Sequence, residues 1–197
     1  MIQSILKNAL FVGIAVMLLS FDLPTGWFIA GSTPSDYEMG IDKGAGSDGK
    51  NAATIKSIGK KVKGFGTLMQ DCLPDQYIGK RIRLSGKMKT KDVSGWAGFW
   101  LRLDEKETMN CLGFDNMKDG KKDRSITGTT EWNAYEIVLD VPEKTGNIAF
   151  GALLDGSGQI WFDDMNIEIV DESVPTTGTE EELSHVNKVP TNLDFED

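Results

Sequence analysis

Residues 80–104 read KRIRLSGKMKTKDVSGWAGFWLRLD, and the order of apolar and polar residues in them decides the fold. From Lys80 onward, Ile82, Leu84, Gly86 and Met88 fall on one side of a two-residue repeat. Arg81, Arg83, Ser85, Lys87 and Lys89 fall on the other. The repeat returns in 96–104, where Ala97, Phe99, Leu101 and Leu103 share one face and Trp96, Gly98, Trp100, Arg102 and Asp104 share the opposite one. Side chains alternate with period two in an extended chain, so both runs are read as strands with one face in a core and the other toward water.

The same reading extends outward. Upstream, Trp27–Ala30, Tyr37–Ile41, Ala52–Ser57 and Phe65–Gln70 are short strand candidates. The polar, glycine-rich stretch DKGAGSDGKN at 42–51 is a loop, and Leu73–Tyr77 is a turn or a single helical turn. Downstream, strands are expected at Met109–Phe114, Tyr135–Val141, Ile148–Leu154 and Gln159–Val170, with Pro142 ending the second of these. Residues 115–131, DNMKDGKKDRSITGTTE, read as a long polar connection. No stretch after residue 22 has a long helical period. Short strands separated by glycine-rich turns predict an all-β, antiparallel β-sandwich of the jelly-roll kind.

Composition agrees. The chain has 197 residues, 40% hydrophobic and 26% charged, with 22 glycines, which suits one domain with its own core. A formal charge of -9 argues against a nucleic-acid partner, because phosphate binding needs concentrated positive charge. The cluster Lys56, Lys60, Lys61, Lys63 and the basic face of 81–91 are read as solvated surface. Two cysteines, Cys72 and Cys111, are too few for a disulfide framework and leave either one bridge or two free thiols.

Three regions follow. Residues 1–21 are apolar, with Lys7 the sole charge and an unbroken apolar run from Ala9 to Leu19. They read as a secretion signal or anchor, which favours a secreted or cell-envelope location, with a buried strand or helix as the alternative. The run is short for a membrane-crossing helix, which needs about 20 apolar residues. Residues 22–171 form the jelly roll. Residues 172–197 are an acidic linker ending in NLDFED, a strand-like remnant of a truncated second module or a segment that docks on a sheet edge.

The chemistry rests on few residues. Trp96 and Trp100 lie on the wet face of their strand. Flat aromatic rings grip the apolar C–H face of a sugar while polar neighbours bind its hydroxyls, and Arg102 and Asp104 are placed to do so, with Arg83 or Arg124 near if the strands pair as expected. The competing reading buries both indoles beneath the 115–131 connection or the N-terminal strand. One of Asp163 and Asp164 must point inward if the last strand alternates, and an inward carboxylate needs a partner or a metal. Calcium bound by that pair and Asp22 satisfies this need.

Against catalysis, the sole histidine is His185, near the C-terminal end of the chain, which removes a histidine-based triad or metal site. Asp104, Asp115, Glu131 and Asp140 are acids with no spacing that singles out a pair. No phosphate-loop, dinucleotide or G-x-S-x-G motif occurs, so no nucleotide is expected.

The closing segment GQIWFDDMNIEIV, with Gly26-Trp27 near the start, resembles galactose-binding-like jelly-roll domains, among them several carbohydrate-binding modules. Together with PTGWFIAGSTPSDYEMGID, WAGFWLRLD, FDNM and ITGTTEW, it is similar to an uncharacterised bacterial domain of that kind, found alone or attached to hydrolase or transcription-regulator modules. The resemblance covers 22–171. It implies a structural calcium on Asp22 and on Asp163 or Asp164, with Phe21-Asp22 standing where the family carries Phe-Glu. The expected function is a non-catalytic module for a carbohydrate or similar polar ligand. The alternatives are an accessory domain making protein–protein contacts and a small carboxylate-based glycoside hydrolase. Membrane contact is expected only if residues 1–21 are an anchor.

Overall fold

The computed structural model describes residues 21–108 and 110–180, and ten strands carry most of them. In chain order these are β1 (Phe28–Gly31), β2 (Tyr37–Asp42), β3 (Ala52–Ser57), β4 (Phe65–Cys72), β5 (Arg81–Glu105), β6 (Cys111–Asp115), β7 (Ile126–Asp140), β8 (Thr145–Asp155), β9 (Gln159–Val170) and β10 (Thr179–Glu180). All strand pairs are antiparallel. A 3-10 turn, Pro34–Asp36, precedes β2. The expected all-β antiparallel jelly roll is what the chain forms.

β5 organises the molecule. Its first part, Arg81–Lys91, pairs with β9 and β7, and its second, Trp96–Glu105, pairs with β8 and β6. One 25-residue strand therefore serves two layers, β2-β3-β9-β5-β7 and β1-β4-β8-β5-β6-β10. Between its two parts Asp92 has a φ of 52°, and the pairing with β7 shifts register three times from Met88 to Ala97. Such irregularities bend a strand and re-aim its side chains. Alternation is kept on both sides of the bend.

The inward faces meet in one core containing Ile82, Leu84, Met88, Phe99, Leu101, Leu103, Ile160 and Phe162. Phe99 from one layer meets Phe162 from the other edge-on at 6.2 Å. Trp27 caps the same core, 5.9 Å from Phe150 and 6.0 Å from Phe162. Gly86 is required where β5 packs against itself, since a Cβ there would lie 2.8 Å from the Phe99 ring.

Two expectations need correction. Residues 126–131 belong to β7 and not to a connection. Their run of Thr and Gly faces solvent, so no apolar repeat marks it, yet threonine is a good strand former. Nor is 172–180 a free linker: Thr177 N–H donates to Val138 O at 2.9 Å, and Thr179 and Glu180 pair with Phe114 and Gly113, covering the outer edge of β6. Cys72 and Cys111 are both free. Residues 1–20 of the 1–21 stretch read as a leader or anchor, and the terminal NLDFED, lie outside the described residues. Among those described, no helix is long and apolar enough to cross a membrane.

Candidate functional site

The outer face of the β1-β4-β8-β5-β6 layer carries the feature that folding alone does not explain. Register places three rows of side chains across it: Ala30, Thr67, Leu153 and Gly98; then Met69, Gly151 and Trp100; then Asp71, Ala149, Arg102 and Phe114. Asn147 and Asp104 form a short fourth row. The middle of the sheet holds Gly151 and Ala149, and the flanks hold larger side chains, so the face is hollow. The hollow is a groove of about 580 Å³. Trp100, Ala149 and Leu153, with Phe65, Met69, Trp96 and Phe114 packed on them, form an apolar cluster separate from the core.

Trp100 is the floor of this groove. It stands opposite Gly151, and its indole Nε1 donates to the Thr67 hydroxyl at 2.8 Å. To reach a residue of β4 from β5, the ring must lie across β8. Only 9% of Trp100 is exposed. Trp96, half-buried, has the Lys118 ammonium 5.0 Å from its ring centroid. The cover expected from the 115–131 stretch is therefore real in part: Lys118 lies over Trp96, and Asn116 and Met117 lie against Gly98, between the two indoles.

Polar groups gather at the other end. Arg102 Nε donates to Asp104 Oδ1 at 2.7 Å, and Asn147 Nδ2 donates to Asp104 Oδ2 at 3.5 Å. Asp104 is 4% exposed, so a buried carboxylate fixes the guanidinium from below. The Arg102 side chain is 44% exposed, and its two Nη groups meet no partner among the described residues. Asp71, also lining the groove, is exposed and unpaired among them.

Of the six residues expected to bind ligand, Trp96, Trp100, Arg102 and Asp104 come together here. Arg83 and Arg124 do not. Arg83 sits on the first part of β5, in the other layer, bound to Glu168 (2.7 Å) and Glu136 (3.4 Å). Arg124 pairs with buried Asp115 and donates to Glu136 O at 2.6 Å. The bend in β5 separates Arg83 from the groove, whereas Arg124, between β6 and β7, is held away by its pair with Asp115. Asp71, Met69, Phe65, Phe114 and Asn147 were not anticipated. Alternation within 65–72 does place Phe65, Thr67, Met69 and Asp71 on one face, but only strand order shows that this face meets Trp100.

The carboxylates expected to hold calcium do not fit such a site. Asp22 is exposed and pairs with Lys43 at 3.6 Å. It bridges to Ile41 of β2, with β3 between that strand and β9. Asp163 Oδ2 accepts from Ser47 N at 2.9 Å and Oγ at 3.2 Å. Asp164 Oδ2 binds the Lys87 ammonium at 2.7 Å, which holds its carboxyl below the usual carboxylate range. A cation is thus already supplied by Lys87. Among the described residues no group of three or more acids, cysteines or histidines is arranged to hold a metal ion.

No protein-family model matches the chain. Over 173 residues it is 45% identical to YbfP, an uncharacterised HTH-type transcriptional regulator of Bacillus subtilis (strain 168), and the match takes in 87% of this chain. The chain spans 57% of that relative's length. Among solved structures it is similar to the CBM22-1 xylan-binding domain from a Paenibacillus barcinonensis protein, with a TM-score of 0.54 at 11% identity over 77% of this chain and 90% of that one. It is also similar to the CBM22-1 and GH10 modules of a Clostridium thermocellum endo-1,4-beta-D-xylanase complexed with xylohexaose, at 0.53 and 14% identity, over 74% of this chain and 26% of that one. A Stig cyclase from Fischerella sp. TAU is a third, at 0.50 and 11% identity, over 77% of this chain and 89% of that one. The shared feature is the fold, the β-sandwich of carbohydrate-binding modules.

Proposed function

We propose that this chain is a non-catalytic binding module whose groove takes a glycan. The carrying observation is the pairing, on the outer face of one sheet, of an indole floor with a guanidinium locked by a buried carboxylate. A pyranose presents an apolar C–H face and a rim of hydroxyls, which match Trp100 and Trp96 beneath and Arg102 beside them. An apolar cluster on an outer face costs solubility unless something binds there. The groove volume also falls within the range of about 300–1,000 Å³ usual for small-molecule sites.

Catalysis is disfavoured by the state of the acids. Asp71 and Asp104 are the carboxylates lining the groove, and Asp104 is engaged by Arg102 and Asn147. Glycoside hydrolysis needs two carboxyl groups free to act on one bond. The xylan-binding neighbours support the reading at the level of fold.

A second reading is favoured by the regulator relative. In a longer regulator the same groove would be an effector site, and the module would signal through contacts with the other domains. Affinity electrophoresis through gels carrying neutral polysaccharides tests the binding step common to both. Retardation of the wild type, lost in Trp96→Ala, is the expected result. Unretarded migration in every gel contradicts it.

A further inference from the structure

Resting on the glycan reading of the groove, we propose that Asp71 and Arg102 form the two walls of a single-sugar slot that admits neutral glycans and rejects uronate-bearing ones. The two residues stand in one row, on β4 and β5, with Ala149 of β8 between them. Two strand spacings separate their backbones, roughly 10 Å, and both line the groove. The floor between them is a methyl group. A gap of that width with a low floor accepts one pyranose ring seen edge-on.

The walls differ in kind. On the β5 side, Nε of Arg102 is held by Asp104 at 2.7 Å, which fixes the plane of the guanidinium and leaves both Nη groups to donate in parallel. A fixed fork of this geometry fits two neighbouring oxygens, and either a vicinal diol or a carboxylate offers two. On the β4 side, Asp71 is an acceptor with no ion pair among the described residues.

Charge decides between diol and carboxylate. Asp104 is 4% exposed and already opposes the Arg102 charge from 2.7 Å, and Asp71 adds a second carboxylate across the slot. Two acids against one guanidinium leave a net negative slot, in a chain of formal charge -9. A hydroxyl can donate to Asp71 while its neighbour accepts from Arg102. A carboxylate can use the fork but has nothing to donate to Asp71, and at about 7 Å from it is repelled by roughly three- to tenfold in affinity. Lys118 over Trp96 does not reverse this balance, because Trp96 lies six residues along β5 from Arg102, about 20 Å away.

Calorimetric titration with two sets of soluble probes tests the proposal. The neutral set is xylohexaose, cellohexaose and mannohexaose, and the anionic set is hexagalacturonate and hexaguluronate. The wild type is expected to bind a neutral member at least threefold more tightly than any uronate. Asp71→Asn should raise the uronate-to-neutral affinity ratio three- to tenfold, and the wild-type preference should shrink as salt rises. Equal wild-type affinity for both sets, or an unchanged ratio in Asp71→Asn, overturns the slot while leaving a glycan groove in place. Binding to neither set overturns the groove reading, and the slot with it.

Discussion

The indole nitrogen of Trp100 donates to the hydroxyl of Thr67 at 2.8 Å, and that hydroxyl donates onward to the Ala152 carbonyl at 2.7 Å. This two-bond chain crosses from β5 to β4 over the strand between them and pins the groove floor to the sheet. Replacing Thr67 with Val keeps the shape and leaves a buried N–H without an acceptor, a loss of about 1–3 kcal/mol. Thr67→Val should lower the melting temperature and broaden tryptophan emission, whereas Thr67→Ser should restore both.

The Tyr37 hydroxyl lies 2.8 Å from Gly64 O and 2.9 Å from Gly156 O, tying together the ends of three strands. Burial, with Asp155 and Asp36 adding repulsion, pushes its pKa up to about 12. A folded-state value above the unfolded one means that this stabilisation is intact below pH about 10 and is lost as pH rises through about 12. Thermal melts from pH 8 to 12 should therefore show an alkaline decline that is weaker in Tyr37→Phe, which starts from a lower melting temperature at pH 8.

Gly151, opposite Trp100, is a point of close backbone approach between β8 and β4. A Cβ there would lie 2.4 Å from Leu68 O and 2.9 Å from the Met69 Cα, both backbone atoms that cannot swing aside. Gly151→Ala should cost about 1–3 kcal/mol through overpacking. The check is the denaturant midpoint, with an unchanged m-value showing that the fold itself persists.

Lys87 supplies the positive charge beside Asp164, so stability should not depend on divalent ions. Adding millimolar calcium or a chelator should move the melting temperature by less than a degree. Lys87→Met should lower it slightly, since exposed pairs contribute about 0–1 kcal/mol. A rise of several degrees with calcium in the wild type would show that the acidic residues of the 42–51 loop and the last strand hold metal after all.

Much of the architecture was legible because period two survives wherever one face is buried. β3 and β9 begin and end where their patterns do, and the shared outer face of Trp96, Trp100, Arg102 and Asp104 follows from counting along 96–104, although Trp100 and Asp104 are buried on it. What period two cannot convey is which strand lies next to which. Arg83 and Trp100 share a strand, yet the irregular stretch around Asp92 sends them to different layers. A stretch reading Asp-Val-Ser-Gly looks like a turn between two strands, not a bend within one. The thresholds of β7 were hidden for a different reason: Thr127, Gly128 and Thr129 are exposed and leave no apolar mark. Asp71 carries no mark in the sequence, because a lone acid at a strand end is ordinary until the fold places Arg102 two strands away.

If the Trp96–Trp100 face binds sugar, tryptophan fluorescence must change on titration with neutral hexasaccharides. A saturable change in the wild type is predicted, weakened tenfold or more (about 1.4 kcal/mol) in Trp96→Ala and in Arg102→Met, with both variants folded by circular dichroism. Unchanged emission with every sugar, from a folded wild type, would contradict it.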